Sequence, residues 1–401
     1  MNSPESSLIY LDHAATTSVD PRVLDAMLPY FRESFGNPSS IHGPGRRVKA
    51  AIERAREEVA ALVNAAPAEI VFTSGGTESD NAAVRLAMEM AGENKTEIIT
   101  SPAEHQAVLS ACKRETEKGA RILFIPVDGA AVADTRLLSK MAGEKTALCS
   151  LMHVNNETGG ILPLSETAQT LRQIGVCFHS DAVQSAGKLP IDVREMDVDL
   201  LSMSAHKIHG PKGVGALFVR NGLRIGQLQY GGGQERGRRG GTENVASVIG
   251  FGAAARFAME EMETRHRLWT ALREMAIELI SAELPDIHVN GGGAATLPNI
   301  LSITLPSARY DLDGGLLLMN CDLAGLAISS GSACSAGSIE PSHVIRAIGR
   351  EDAESAATLR ISFGAFTTDE EVRQGMKILI RVVQEMSARS NSLSHSRMII
   401  P

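Results

Sequence analysis

Apolar positions along the chain fall into two rhythms. Short, mostly apolar runs at Glu97–Thr100, Arg121–Ile125, Thr146–Met152, Val176–His179 and Val198–Met203 predict strands. Between them, His105–Lys118, Asp134–Met141 and Leu164–Gly175 have helical spacing. Repeated alternation of this kind predicts an α/β fold with a largely parallel sheet covered by helices on both faces. Ahead of this block, a short strand from Ile9 breaks into a polar turn. Asp20-Pro21 then opens a helix over 22–33, and apolar residues at 48, 52, 55, 59, 62 and 63 mark another over 46–63. A strand from Ile70 runs into Gly75-Gly76 and a helix starting near Thr77. After a long helical stretch over 244–282 the order changes. Strands at 299–305, 326–329 and 358–362 alternate with helices at 312–320, 341–348 and 369–388, which predicts a smaller α+β unit. The expected division is an N-terminal segment 1–20 packing with the small domain, a large domain 21–260, a small domain 261–388 and a frayed polar tail 389–401.

In parallel α/β sheets ligands bind at the carboxyl ends of the strands. The polar residues that stand out fall there: Gly76 and Thr77, His105, Asn155 and Asn156, Asp181 and Gln184, and Ser204 to Lys207. Lys207 closes the apolar run that ends at Met203, and Gly210, Pro211 and Gly213 bend the chain before a second run, Gly215–Val219. Partial desolvation at such a place favours the neutral, nucleophilic amine that a Schiff-base lysine needs. Gly75-Gly76 before a helix offers free N–H groups and a positive dipole end, the basis of a phosphate cradle. Two loops stand apart. Phe35–His42 is a run of turn-formers, read equally well as a substrate-entry element or a plain connector. Gln229–Thr242, rich in glycine and arginine and too flexible to fold alone, is a candidate for crossing to a partner subunit.

Composition narrows the function classes. The 401 residues carry a formal net charge of −8, which argues against nucleic-acid binding as the main task. No apolar run approaches the ~20 residues needed to span a bilayer, and residues 1–7 lack a signal-peptide layout. A cytoplasmic protein that binds no membrane is the expectation. The cysteines at 112, 149, 177, 321 and 334 have neither CxxC nor zinc spacing, so no structural metal is expected.

A Schiff-base lysine, an anion cradle and a carboxylate at a strand end together suit pyridoxal phosphate (PLP). Asp181 is the candidate to keep the pyridine nitrogen protonated, Gln184 can donate to the ring phenolate, and His105 offers a stacking face and a proton-transfer group. The chain resembles the cysteine desulfurases of the NifS/IscS type, in the class V aminotransferase family of fold-type I PLP enzymes. The resemblance is carried by Tyr10–Thr17 (YLDHAATT), Thr73–Asn81 (TSGGTESDN), His153–Gly159 (HVNNETG), Ser204–Gly213 (SAHKIHGPKG), Gly231–Gly237 (GGGQERG) and Ser329–Ser335 (SSGSACS). It covers nearly the whole chain, in the same order.

The resemblance implies a seven-stranded-type sheet and L-cysteine as substrate. It implies that Lys207 holds PLP and removes the substrate Cα proton, and that Gly76, Thr77, Ser204 and His206 bind the phosphate, with Thr242 reaching across a homodimer interface. Asn156, Asp181 and Gln184 would contact the ring and its substituents, Asn156 also meeting the substrate, whose carboxylate Arg360 would clamp. Cys334, among small residues and so expected to be mobile, would take the substrate sulfur as a persulfide, leaving L-alanine. It would then pass the sulfur to an acceptor such as an iron–sulfur scaffold, and is a candidate transient iron–sulfur ligand. The other cysteines sit in or beside apolar segments and read as inert small hydrophobes. Two positions depart from the family pattern: Ala365, where a longer residue is common, and Ser180, where valine is usual. A selenocysteine lyase, an aminotransferase of the same fold and a non-catalytic sulfur-relay subunit are the alternatives; the thiol argues against the second, and Lys207, His105, Asp181 and Cys334 together against the third.

Overall fold

The computed structural model describes residues 8–330 and 341–397, the side chains of 390–397 excepted. Its strands are β1 (Ile9–Tyr10), β2 (Ile70–Thr73), β3 (Glu97–Thr100), β4 (Arg121–Phe124), β5 (Thr146–Ser150) and β6 (Cys177–Asp181). They continue with β7 (Leu200–Ser204), β8 (Gly215–Val219), β9 (His288–Val289), β10 (Ile300–Thr304), β11 (Leu326–Ala327) and β12 (Thr358–Ser362).

Seven strands form the central sheet, in the order β2-β8-β7-β6-β5-β3-β4. Strands β5 to β8 are buried along their whole length, as a sheet covered on both faces requires. All strands run parallel except β8, which is antiparallel to both β2 and β7. The reversal follows from the short return after β7. A 3-10 turn over Ala205–Lys207 ends the strand and Gly213, at φ 79°, turns the chain back. Gly215 is then paired so closely that a Cβ would sit 2.6 Å from the Met203 carbonyl oxygen.

A smaller core is built around the antiparallel sheet β12-β10-β9 and the parallel pair β1-β11. Ile9 and Leu11 pack in this core, although every other member comes from Trp269 onward. The helix Val245–Glu283 serves both cores. Val248, Phe251 and Ala254 pack in the large one, and Trp269, Leu272, Ala276 and Ile280 in the small one.

The last helix is Asp369–Arg397. Two sequence expectations change. The helix expected over 134–141 is a 3-10 turn, Thr135–Leu137, followed by the short helix Leu138–Met141. The loop 229–242 is tied to its own chain rather than left free. Glu235 accepts two bonds from the Arg56 guanidinium, at 2.7 and 2.8 Å, and one from the Phe72 N–H, while Arg239 pairs with Glu78 at 2.6 Å. No helix among the described residues is long and apolar enough to cross a membrane.

Candidate active site

A cavity of about 470 Å³ opens at the carboxyl ends of β2, β3, β5, β6 and β7. Gly76, Thr77, His105, Asn156, Asp181, Gln184, Ser204, His206 and Lys207, expected at strand ends, all line it, and so does Arg360 from within β12. Thr242 is exposed and does not line the cavity of its own chain. Cys334 lies outside the described residues. The other cysteines are buried and unpaired, and burial pushes their thiols up, to about 12 for Cys112 and Cys321.

Lys207 ends the 3-10 turn after β7, and its Nζ donates to the carbonyls of Ala14 (2.6 Å) and Ala15 (2.7 Å). Burial, and after it the charge of Arg360, brings its pKa down to about 8, which leaves a usable fraction neutral near neutral pH. The same N-terminal segment braces its neighbours. The Thr17 hydroxyl bonds the His206 carbonyl and the His209 N–H, and Thr16 Oγ1 meets His206 Nδ1 at 3.1 Å.

The cradle begins at Gly75, whose backbone (φ 155°, ψ −179°) is open to glycine alone, and continues into the helix Gly76–Ala91. A Cβ on Gly76 would stand 2.6 Å from Val183 Cγ2, so close packing also demands glycine there. Ser204 Oγ and Asn156 Oδ1 are buried at this cavity with no partner among the described residues. His206 is held neutral, its pKa pushed to about 4 by burial and by Lys207, so it offers hydrogen bonds rather than charge.

Asp181 ends β6 and accepts from the Val183 N–H at 2.8 Å. Burial pushes its pKa up, and only a facing cation keeps such a carboxylate ionised. Behind it stand Asp80, whose carboxyl burial and Asp181 raise strongly, and His179, bonded to Ser150 and Ser202 at 2.8 and 3.0 Å and kept neutral by burial. His105 caps the helix Gln106–Thr116, its Nδ1 accepting from the Ala107 N–H at 3.1 Å. That bond leaves the ring proton on Nε2. Desolvation by the walls, then Lys207 and His343, hold its pKa below the ordinary value. Arg360, on β12, is buried. Its Nη2 meets Asp12 Oδ1 at 2.8 Å and its Nη1 donates to the Asn156 carbonyl at 3.0 Å. Asn155 fixes that turn by accepting from the N–H groups of Glu157 and Thr158.

Asp12, Asp80, Glu104, Lys188 and His343 join the site without a role assigned from the sequence. Asp12 and Lys188 lie inside or just beyond motifs already singled out, but only the folded chain brings Asp12 to Arg360 and Lys188 to Gln184. Of the two departures from the family pattern, the Ala365 N–H donates to His209 Nε2 at 3.0 Å, and Ser180 Oγ is buried without a partner among the described residues.

A lysine beside an anion cradle, a buried carboxylate in need of a cation, and unpartnered Ser204 and Asn156 oxygens fit PLP in both charge and hydrogen-bonding capacity. The chain belongs to the aminotransferase class-V family, whose description matches residues 9–374. Members of that family depend on PLP. Within it, this chain is 42% identical over 384 residues to a cysteine desulfurase of Trichormus azollae, covering 96% of this chain and 95% of that one. It is likewise 42% identical over 379 residues to the cysteine desulfurase IscS of Dictyoglomus turgidum, covering 94% and 95%. Among solved structures, a NifS-like protein superposes with a TM-score of 0.87 at 35% identity, over 94% of this chain and 99% of that one.

Proposed function

We propose that this protein is an L-cysteine desulfurase that converts L-cysteine to L-alanine and leaves the sulfur as a persulfide on Cys334. The observation that carries the reading is the convergence of Lys207, Asp181, Gln184, His105 and Arg360 on one cavity beside a glycine-built helix N-terminus. The net reaction breaks the substrate Cβ–Sγ bond, forms a C–H bond on Cβ and forms an S–S bond to Cys334. Carbon is reduced and the thiol sulfurs are oxidised, so no further redox partner is needed.

Bound PLP supplies an electron sink for charge developing at the substrate Cα. Gly76, Thr77, Ser204 and His206 hold its phosphate, while Asp181, Gln184 and Asn156 hold its ring and substituents. The Arg360 guanidinium receives the substrate carboxylate and so fixes which Cα bond faces Lys207. Lys207 takes the Cα proton at Nζ, a role suited to an amine whose pKa is brought to about 8. His105, with its proton on Nε2, hands protons to or from the substrate. On the same footing we assign a cytoplasmic homodimer in which Thr242 serves the other subunit's cavity, and an acceptor such as an iron–sulfur scaffold. The exposure of Thr242, away from its own cavity, favours that arrangement. Domains 21–260 and 261–388, with 1–20 joined to the second, accord with the membership of the two cores.

The test is to load the purified chain with PLP and supply L-cysteine with a thiol reductant. Alanine and sulfide should appear in equal amounts, and Cys334→Ala should stop both while keeping the bound cofactor's colour. Unchanged sulfide release from Cys334→Ala would overturn the persulfide step.

A further inference from the structure

Lys188 is the second lysine of this region and has no part in the reaction described above. It lies in the loop after β6, only 3% exposed. Among the described residues no carboxylate pairs with it. The charged and titratable groups that act on it or feel it are Lys207, Arg360, His13, His206 and His209. A buried amine without a counter-ion is costly to keep, and burial brings this one to about 7.

Its hydrogen bond gives the reason. Lys188 Nζ donates to Gln184 Oε1 at 3.0 Å, and Gln184 Nε2 donates to the Ala14 carbonyl at 2.8 Å. That same carbonyl receives Lys207 Nζ at 2.6 Å. A primary amide has one oxygen acceptor and two N–H donors. With Oε1 on the lysine and one hydrogen on Ala14, turning the amide over would set NH₂ against Nζ and carbonyl against carbonyl. The second Nε2 hydrogen therefore remains for the cavity, which Gln184 lines.

We propose that Lys188 is a positioning residue that locks the Gln184 amide so that its N–H always faces the cavity and meets the ring oxygen of PLP as a donor. This rests on the assignment of Gln184 to that oxygen. A donor there favours the state in which the oxygen carries its charge alone. Losing it raises the pH at which the cofactor's visible absorbance changes.

The experiment is an absorbance–pH titration of the PLP-loaded, substrate-free protein, with circular dichroism to verify folding. Lys188→Met should raise the midpoint by about one pH unit, a tenfold change in proton affinity. Gln184→Ala should produce the same shift, and the double variant no more than either alone. A Lys188→Met shift that persists in full in the Gln184→Ala background would mean that Lys188 acts only through its charge, and would overturn the proposal. So would a wild-type titration of Lys188→Met beside a shifted Gln184→Ala, which leaves the role of Gln184 standing. An unshifted Gln184→Ala would remove both. If Lys188→Met does not fold, Lys188→Gln, one bond too short to reach Oε1, is read by the same criteria.

Discussion

Arg360 is held by Asp12, Nη2 to Oδ1 at 2.8 Å, across 348 residues of chain. The guanidinium assigned to the substrate carboxylate is thus oriented by a carboxylate of the protein before any substrate arrives. Arg360 Nε stays buried without a partner among the described residues, so the fork keeps unspent donors. Arg360→Lys keeps the charge but loses the fork, and should weaken L-cysteine binding about tenfold or more. Asp12→Asn, which keeps the shape and drops the anchoring charge, should weaken it less. Titration of the cofactor's absorbance with L-cysteine measures both.

Gly76→Ala should destabilise the protein by about 1–3 kcal/mol, because the new methyl group meets Val183 Cγ2 at 2.6 Å. It should also weaken PLP binding, since the same residue opens the helix that faces the phosphate. Adding Val183→Ala should recover the stability. Thermal unfolding with and without PLP separates the two effects.

Glu104 is buried beside the site, its Oε1 accepting from the Met152 N–H at 3.0 Å and from Ser101 at 2.9 Å. Burial raises its pKa from 4.5 to about 8. The folded state therefore keeps this proton over a range in which the unfolded chain has lost it. Stability from this group is complete below about pH 4.5 and falls as pH rises toward about 8. Glu104→Gln removes that dependence and leaves the other titrating groups in place. Wild type should lose stability relative to Glu104→Gln between these two pH values, and denaturant midpoints across the range measure the difference.

How much of this was legible in the chain depends on how local each signal is. Asp181, Lys207 and Gly76 are each announced by a buried strand that ends in a turn, so strand-end logic found them and the parallel layout together. The reversal of β8 was hidden, because a fully buried strand reads the same in either direction. Asp12 and Lys188 were hidden because their meaning lies in partners that only the fold supplies, the guanidinium of Arg360 and the amide of Gln184. The loop 229–242 misled by composition. Its glycines suggested freedom, while one glutamate, Glu235, fixes it through Arg56 and the Phe72 N–H.

The bracing of Lys207 by Ala14 and Ala15 and the parallel pairing of β1 with β11 bear on how the protein comes into being. During synthesis the residues that hold the lysine emerge early, but β11 and Arg360 emerge hundreds of residues later. Until then the first strand has no edge to join and Asp12 has no guanidinium to meet. Contacts this far apart in sequence close late. The site is complete only once β12, the last strand among the described residues, has joined, so a chain truncated before Arg360 should bind L-cysteine poorly.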